Sequence, residues 1–250
     1  MKHLIINFIK KDYFFSIIKK IFKRFEKDTS IEAKKWAKLN IKQTTDQFCQ
    51  SIDSLLYEEV KSDTSFIEKE SKEKLSKLNI SFGGRGNFIL LYFLIRKFKL
   101  VNIVETGVAT GWTSLAILRA LKKNGNGHLY SSDFPYFRLN NPEKYIGIMV
   151  PEELKKNWRL EILGDVKNIK KFKSEINHAD IILYDSDKRY SGKINFFKSV
   201  NSLIKSNTII VVDDLHNDSF FLEYVKEMKC KNWFIVESKR KHIVGIILPD

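Results

Sequence analysis

Three carboxylates late in the chain stand where chemistry is expected. Asp185 closes the apolar run 181–185, Asp213 closes the run 208–213, and Asp214 follows directly. Both runs are short and apolar, so they are expected to be neighbouring strands of one parallel sheet. Their ends would then lie side by side at the crevice where open α/β sheets bind ligands. Unpaired, three such carboxylates repel one another; a hard divalent cation that takes oxygen ligands would neutralise them. The alternative for the same acids is a set of helix N-caps and solvated loop residues.

A second constellation lies earlier. The run Val101-Asn102-Ile103-Val104-Glu105 leads into Thr106-Gly107-Val108-Ala109-Thr110-Gly111-Trp112-Thr113-Ser114 and then into an apolar helix, Leu115 to Leu121. Glycines in a strand-to-helix turn let the backbone bend tightly and let a ligand approach the amides, while the helix N-terminus favours a carboxylate or phosphate. The spacing E-x-G-x-x-x-G differs from the G-x-G-x-x-G of nicotinamide-binding turns. Asp133 ends the next strand, where its carboxylate could accept hydrogen bonds from the vicinal hydroxyls of a ribose.

These residues need a scaffold. Strands are expected at 101–105, 128–133, 159–163, 181–185, 208–213, 233–237 and 242–248, alternating with helical segments. That alternation implies an α/β fold with a mainly parallel, seven-stranded sheet covered on both faces. Only Ser238-Lys239-Arg240-Lys241 separates the last two runs, too short for a crossover, so they should form a C-terminal antiparallel hairpin. Before the sheet, residues 30 to 79 carry apolar residues such as Trp36, Phe48, Leu56 and Val60 at helical spacing with no β-like alternation. The breaker Ser81-Phe82-Gly83-Gly84-Arg85-Gly86 sets the boundary between a helical N-terminal appendage, 1–80, and the sheet domain, 81–250; a helix over 87–99 leads into that domain.

With these elements in place, the glycine turn resembles motif I of class I S-adenosylmethionine-dependent methyltransferases. The resemblance implies their Rossmann-like fold. It implies that Gly107 and Gly111 wrap the methionine moiety of S-adenosylmethionine, that Thr113 binds its carboxylate, and that Glu105 lies beneath it near the ammonium group. Asp133 would hold the ribose, and Gly164-Asp165 is similar to the family's acidic motif on the adenine side. Asp185-Ser186-Asp187-Lys188 followed by Asp213-Asp214 is similar to the metal-dependent catechol and caffeoyl-coenzyme A O-methyltransferases. On that resemblance Asp185, Asp213 and Asp214 bind Mg2+ or another divalent cation, and Lys188 takes the proton of the substrate hydroxyl. The plant and animal enzymes carry Asp-Asn where this chain has Asp213-Asp214, a pair more like bacterial sugar O-methyltransferases, which leaves the substrate class open; a hydroxyl of a small molecule or glycan is the expected acceptor. His216 is an alternative base. The long segment 134–150 is expected to form a substrate lid together with the helical appendage, and Arg138, Lys144 and Arg189 are expected to contact an anionic acceptor such as a nucleotide-linked or phosphorylated sugar.

Composition narrows the partners. The 250 residues carry 44 Lys+Arg against 30 Asp+Glu, a net charge of +14, with +9 of it in residues 1–100. Such a balance favours anionic partners, although a Lys-, Ile- and Asn-rich composition also follows from an A·T-rich genome. Nucleic-acid methylation is one competing reading; against it, no N-P-P-Y-like tetrapeptide follows the fourth strand, and an acidic crevice repels phosphates. Another is a non-catalytic membrane-associated protein. Residues 13–25 place Phe14, Ile17, Ile18, Ile21, Phe22 and Phe25 on one helical face and lysines on the other. Such a helix suits either peripheral contact with an anionic membrane or packing on its own domain or on a second subunit in a homo-oligomer. Two cysteines, Cys49 and Cys230, without zinc spacing, no long apolar run and no cleavage site lead to an expected cytoplasmic location, peripheral at the inner membrane face if the helix binds lipid.

Overall fold

Parallel strands flanked by helices on both faces must be apolar throughout. Residues 181–184 (IILY) and 209–212 (IIVV) meet that demand and are buried along their whole length. The computed structural model describes residues 31–78, 85–134, 139–216 and 218–250. Its strands are β1 (Ile41–Thr44), β2 (Asn102–Thr106), β3 (His128–Ser132), β4 (Trp158–Glu161), β5 (Ile181–Tyr184), β6 (Ile209–Val212), β7 (Trp233–Glu237) and β8 (Ile243–Ile247). The helices are α1 (Ile31–Leu39), α2 (Thr45–Ile52), α3 (Ser54–Ser76), α4 (Phe88–Phe98), α5 (Trp112–Asn124), α6 (Glu152–Lys155), α7 (Asp165–Phe172), α8 (Tyr190–Val200) and α9 (Phe220–Glu227).

The strands form one sheet in the order β1-β7-β8-β6-β5-β2-β3-β4. All pairings are parallel except those of β8, which runs antiparallel to both β6 and β7. The expected C-terminal hairpin is therefore present, with Trp233 opposite Ile247 and Glu237 opposite Ile243. The sheet has eight strands rather than seven. Residues 41–44 (IKQT) carry no apolar alternation strong enough to announce a strand; they are recruited by the open edge of β7, pairing Ile41 with Ile235 and Thr44 with Glu237. Backbone hydrogen bonding, not side-chain burial, makes this edge strand.

Thr44 then ends the strand and starts the next helix. Its hydroxyl accepts from the Gln47 amide at 3.2 Å, and the Gln47 side chain accepts from the Thr44 amide at 2.9 Å. This reciprocal capping box contributes about 1 kcal/mol.

Helix α4 (FILLYFLIRKF) is apolar nearly all round, the pattern of a helix buried on every side. It sits in one core with Phe48, Tyr57, Val60 and Ile67 of α2 and α3, with α5, and with one face of the sheet. The other face packs on α7, α8 and α9 through Phe172, Phe196, Phe197 and Phe220. Trp36 of α1 joins that second core, 5.4 Å from Trp233 and 6.4 Å from Phe221 between ring centres. The helical segment 31–78 and the sheet thus share both cores. The expected helix 13–25 lies outside the described residues. Among the described residues no helix is long and apolar enough to cross a membrane.

Candidate active site

Strand β2 has β3 on one side and β5 on the other, so successive crossovers leave it in opposite directions and open a crevice at its carboxyl end. The glycine turn occupies that crevice. Gly107 has φ +80°, and a Cβ there would stand 1.8 Å from the carbonyl oxygen of Asp185. Only a glycine lets the β2 and β5 exits approach this closely. Ala109 also has positive φ, 48°, and its amide donates to Asp133 Oδ2 at 2.7 Å; Asp133 Oδ1 accepts the Phe134 amide at 2.6 Å. The Asp133 carboxylate therefore straps the turn to the end of β3. Gly111, φ +93°, opens α5.

Glu105 lies fully buried under this turn. Oε1 accepts from the Thr113 hydroxyl at 2.5 Å, and Oε2 accepts from Ser114 at 2.6 Å and Ser131 at 2.7 Å. The Trp158 indole donates in turn to Ser131 Oγ at 2.8 Å. Burial pushes the Glu105 carboxyl above its ordinary range, against the pull of the three hydroxyls. The Thr113 hydroxyl is thus directed down to Glu105. Asp165, on the first turn of α7, accepts from Ser132 Oγ and Ser186 Oγ, both at 2.7 Å, and so joins the ends of β3 and β5. The Phe134 ring lies over Gly164, where a Cβ would come within 2.1 Å of it.

Across the crevice stand the acids. Asp213 and Asp214 are buried at the exit of β6, and Asp214 has φ 55°. Asp213 Oδ1 accepts the Asp214 amide at 2.7 Å, leaving Oδ2 to face His242 Nδ1 at 3.9 Å. Donor atoms of Asp213, Asp214 and His242 all lie within 4.8 Å of one another. Asp185 falls outside that group, though near enough for its charge to matter. Burial, then the charges of Asp213 and Asp214, hold the Asp185 carboxyl well above the usual carboxylate range. Burial and Asp214 likewise raise Asp213 to about 6.

Lys188 Nζ lies 2.5 Å from Asp214 Oδ2, on a side chain 64% exposed. Burial works to lower its pKa, but the Asp214 hydrogen bond and the charges of Asp214, Asp185 and Asp213 outweigh it and raise the pKa. That is opposite to the shift a general base needs. His216, the alternative base, is half-buried, and desolvation lowers its pKa.

A carboxyl whose pKa is higher in the folded than in the unfolded chain stabilises fully below the unfolded pKa and loses that contribution as pH rises through the folded value. Asp213 moves from 3.8 to about 6. The metal-free protein is therefore expected to lose thermal stability from this site between about pH 4 and pH 6. The melting temperature of Asp213→Asn should depend less on pH over that window than that of the unsubstituted chain; identical profiles would contradict the assignment.

Other expected groups sit elsewhere. Arg189 turns back onto Asp187, with Nε donating to Oδ1 at 2.7 Å and Nη2 to Oδ2. It directly precedes α8, at the exit of β5. Lys144 is exposed on a short 3-10 turn, and Arg138 lies outside the described residues. The described end of the 134–150 segment clamps the glycine turn from outside: the Gly147 amide donates to Ala109 O and that of Met149 to Thr110 O, both at 2.9 Å.

Two contributors were not foreseen. His242 arrives because β8 is antiparallel: its first residues lie at the carboxyl edge of the parallel strands, with the Leu215 amide on Ile243 O at 3.2 Å. Gly86 and Asn87, at the start of α4, line a water-sized cavity with Thr113, Asp185 and Asp213, and a Cβ on Gly86 would come 2.8 Å from Thr113 Cγ2. The glycine-rich breaker at 81–86 was the available signal for the second; nothing local announced the first.

Residues 104–215 match the family model described as a methyltransferase domain. Among curated proteins no sequence matches the chain. Solved structures do. A Staphylococcus aureus protein provisionally described as a caffeoyl-CoA O-methyltransferase superposes with a TM-score of 0.56 at 14% identity, over 78% of this chain and 98% of that one. TomG from Streptomyces achromogenes, an O-methyltransferase involved in tomaymycin synthesis and solved with SAM, gives 0.53 at 12% identity over 74% and 89%. A Bacillus cereus O-methyltransferase solved with SAH gives 0.51 at 14% identity over 81% and 96%. The chain therefore has the mainly parallel α/β fold of these O-methyltransferases, and its residues 104–215 match the model of a methyltransferase domain.

Proposed function

We propose that this protein is an S-adenosylmethionine-dependent O-methyltransferase that transfers a methyl group to a hydroxyl of a small molecule or sugar, assisted by a divalent cation. The observation that carries the reading is one juxtaposition: the Gly107 turn packs on the backbone carbonyl of Asp185, whose residue lines one small cavity with Asp213. The turn read as the cofactor cradle and the acids read as the acceptor site would then share a single crevice. When bound, S-adenosylmethionine supplies an electrophilic methyl group on a sulfonium. A bound divalent cation supplies positive charge that lowers the pKa of an acceptor hydroxyl.

The chain's own residues do the rest. Gly107 and Gly111 let the turn pack closely on the backbone of Asp185 and Gly147, which shapes the amides that would face the methionine portion, and Asp133, held by the Ala109 and Phe134 amides, is the carboxylate that would meet the ribose hydroxyls. Glu105 acts from below, through its charge and through the hydroxyl of Thr113. Asp165 bounds the adenine side. Asp185, Asp213 and Asp214 form a donor set that suits a hard cation, since their mutual repulsion is what the cation would relieve. Lys188, whose Nζ lies on Asp214 Oδ2, is the group that would take the hydroxyl proton if a bound cation neutralised the carboxylates that now hold it protonated. Fixing the two reactants in one crevice contributes through proximity.

Radiolabelled methyl transfer to a panel of catechols and sugars tests this reading. Transfer that EDTA abolishes and divalent cation restores is expected; no transfer to any hydroxylated acceptor, with cofactor binding intact, contradicts it. Lys188→Met should lower kcat by about 10^2- to 10^4-fold with little change in cofactor affinity. An unchanged kcat would remove Lys188 from the reaction.

We assign residues 1–80 as an N-terminal appendage, mainly helical and contributing the edge strand β1, to the methyltransferase domain at 81–250. The basic amphipathic pattern of residues 13–25 supports peripheral contact with an anionic membrane from the cytoplasmic side. Vesicles containing phosphatidylserine should float the full chain and not a variant lacking residues 1–28; equal flotation of the two would contradict this.

A further inference from the structure

The acid cluster contains a nitrogen donor. Strand β8 delivers His242 to Asp213 and Asp214, and the three side chains hold donor atoms within 4.8 Å of one another. Donors placed about 2.1 Å from a single ion lie roughly 3 to 4 Å apart, so a contraction of less than about an ångström closes the set. The Asp213–His242 separation, 3.9 Å, already falls in that range. The geometry explains why. Asp213 spends Oδ1 on the backbone of Asp214, so that Oδ2 is free to turn toward the imidazole. The positive φ of Asp214 turns its backbone sharply at the next residue. Lys188 Nζ rests on Asp214 Oδ2, which puts an ammonium charge where a cation would otherwise find its oxygen.

We propose that His242 is a direct metal ligand, so that the site takes a late first-row divalent cation such as Co2+ or Zn2+ in preference to Mg2+. This inference rests on the metal-assisted reading above and alters its ligand set. Mg2+ prefers an all-oxygen octahedral shell and dehydrates reluctantly. An imidazole joined to two carboxylates suits the later transition metals, whose affinities for mixed nitrogen and oxygen sites exceed those of the earlier ions. A histidine in place of a third oxygen donor therefore changes which ion the protein selects, independently of the acceptor it methylates.

The test uses tag-free full-length protein and Co2+ as the probe. Proton NMR of the Co2+-loaded chain in water is expected to show one hyperfine-shifted, exchangeable imidazole N–H resonance. That resonance should vanish in His242→Gln and persist in His216→Gln, the neighbouring histidine. By calorimetry, Co2+ and Zn2+ should bind at least tenfold more tightly than Mg2+, and His242→Gln should erase most of that preference while changing Mg2+ affinity less than about threefold. No such resonance, one that survives in His242→Gln, or equal affinity for Mg2+ overturns the proposal. S-adenosylhomocysteine binding, measured on the same samples, separates the two readings. Its absence beside an intact Co2+ signal would contradict the methyltransferase assignment and leave His242 as a ligand. Its presence beside a Co2+-free site would do the reverse.

Discussion

Gly107→Ala is expected to abolish S-adenosylmethionine binding, with an affinity loss of at least about 100-fold, the equivalent of ~2.7 kcal/mol. Two costs combine. The residue sits at φ +80°, where a Cβ adds about 1–2 kcal/mol of strain, and that Cβ would stand 1.8 Å from the backbone oxygen of Asp185. Backbone cannot swing aside as a side chain can, so the exits of β2 and β5 must separate, and those exits form the floor of the crevice. Gly125 provides the control. It has nearly the same φ, +82°, but no atom within 4 Å of the added carbon. Gly125→Ala should therefore cost only the strain and leave cofactor affinity unchanged. Calorimetric titration of both variants with S-adenosylhomocysteine separates overlap from strain; equal losses would show that the Asp185 contact is irrelevant to binding.

Glu105→Ala should be the most destabilising substitution in the site, lowering the free energy of unfolding by about 3–5 kcal/mol. Removal of this carboxylate leaves the hydroxyls of Thr113, Ser114 and Ser131 without their acceptor in a fully buried space. Glu105→Gln should cost far less, below about 1.5 kcal/mol. Burial raises the carboxyl's pKa, which lessens the cost of an uncharged amide at this position, and the hydroxyls can rotate to accept from that amide. The same Gln variant tests the electrostatic role: if the charge of Glu105 reaches the ammonium group of the cofactor, affinity falls although the fold stays intact. Urea unfolding monitored by tryptophan fluorescence measures the first effect. An alanine variant as stable as the unsubstituted chain would remove Glu105 from its place as the hub beneath the turn.

How much of this was legible in the residues depended on whether the signal was local. The runs that form β5, β6 and β8 announce themselves because a strand buried on both faces has to be apolar throughout, and their ends then follow within one or two residues. The glycine turn was equally clear, since positive φ and close backbone contact select glycine. Strand β1 was not legible. Its four residues alternate between half-buried and exposed and owe their conformation to the free edge of β7. His242 was hidden for a related reason. It looks like an ordinary strand-leading residue until the hairpin folds back into the sheet and carries it to the acids. Arg189 was expected to face a substrate, yet Asp187 two residues away forms a bidentate pair with it. Charge counted along a sequence carries no information about such short-range partners.

The appendage follows the same logic. Helical spacing revealed α1 to α3, but nothing in residues 31–78 alone says that Phe48, Tyr57 and Val60 complete the core around α4, or that Asn87 at the head of α4 donates to Thr45 at 2.7 Å. Those contacts tie the helical segment to Gly86, which passes over Thr113 and Asp185 in the crevice. Changes in the helices can therefore reach the site through the start of α4.

The central claim is that the turn beginning at Gly107 cradles a sulfonium cofactor opposite the acids. Isothermal titration of the purified chain with S-adenosylhomocysteine is the most direct measurement of it. Saturable binding of one equivalent, removed by Gly107→Ala and preserved by Gly125→Ala, is expected. Absence of binding to the folded, unsubstituted chain would contradict it.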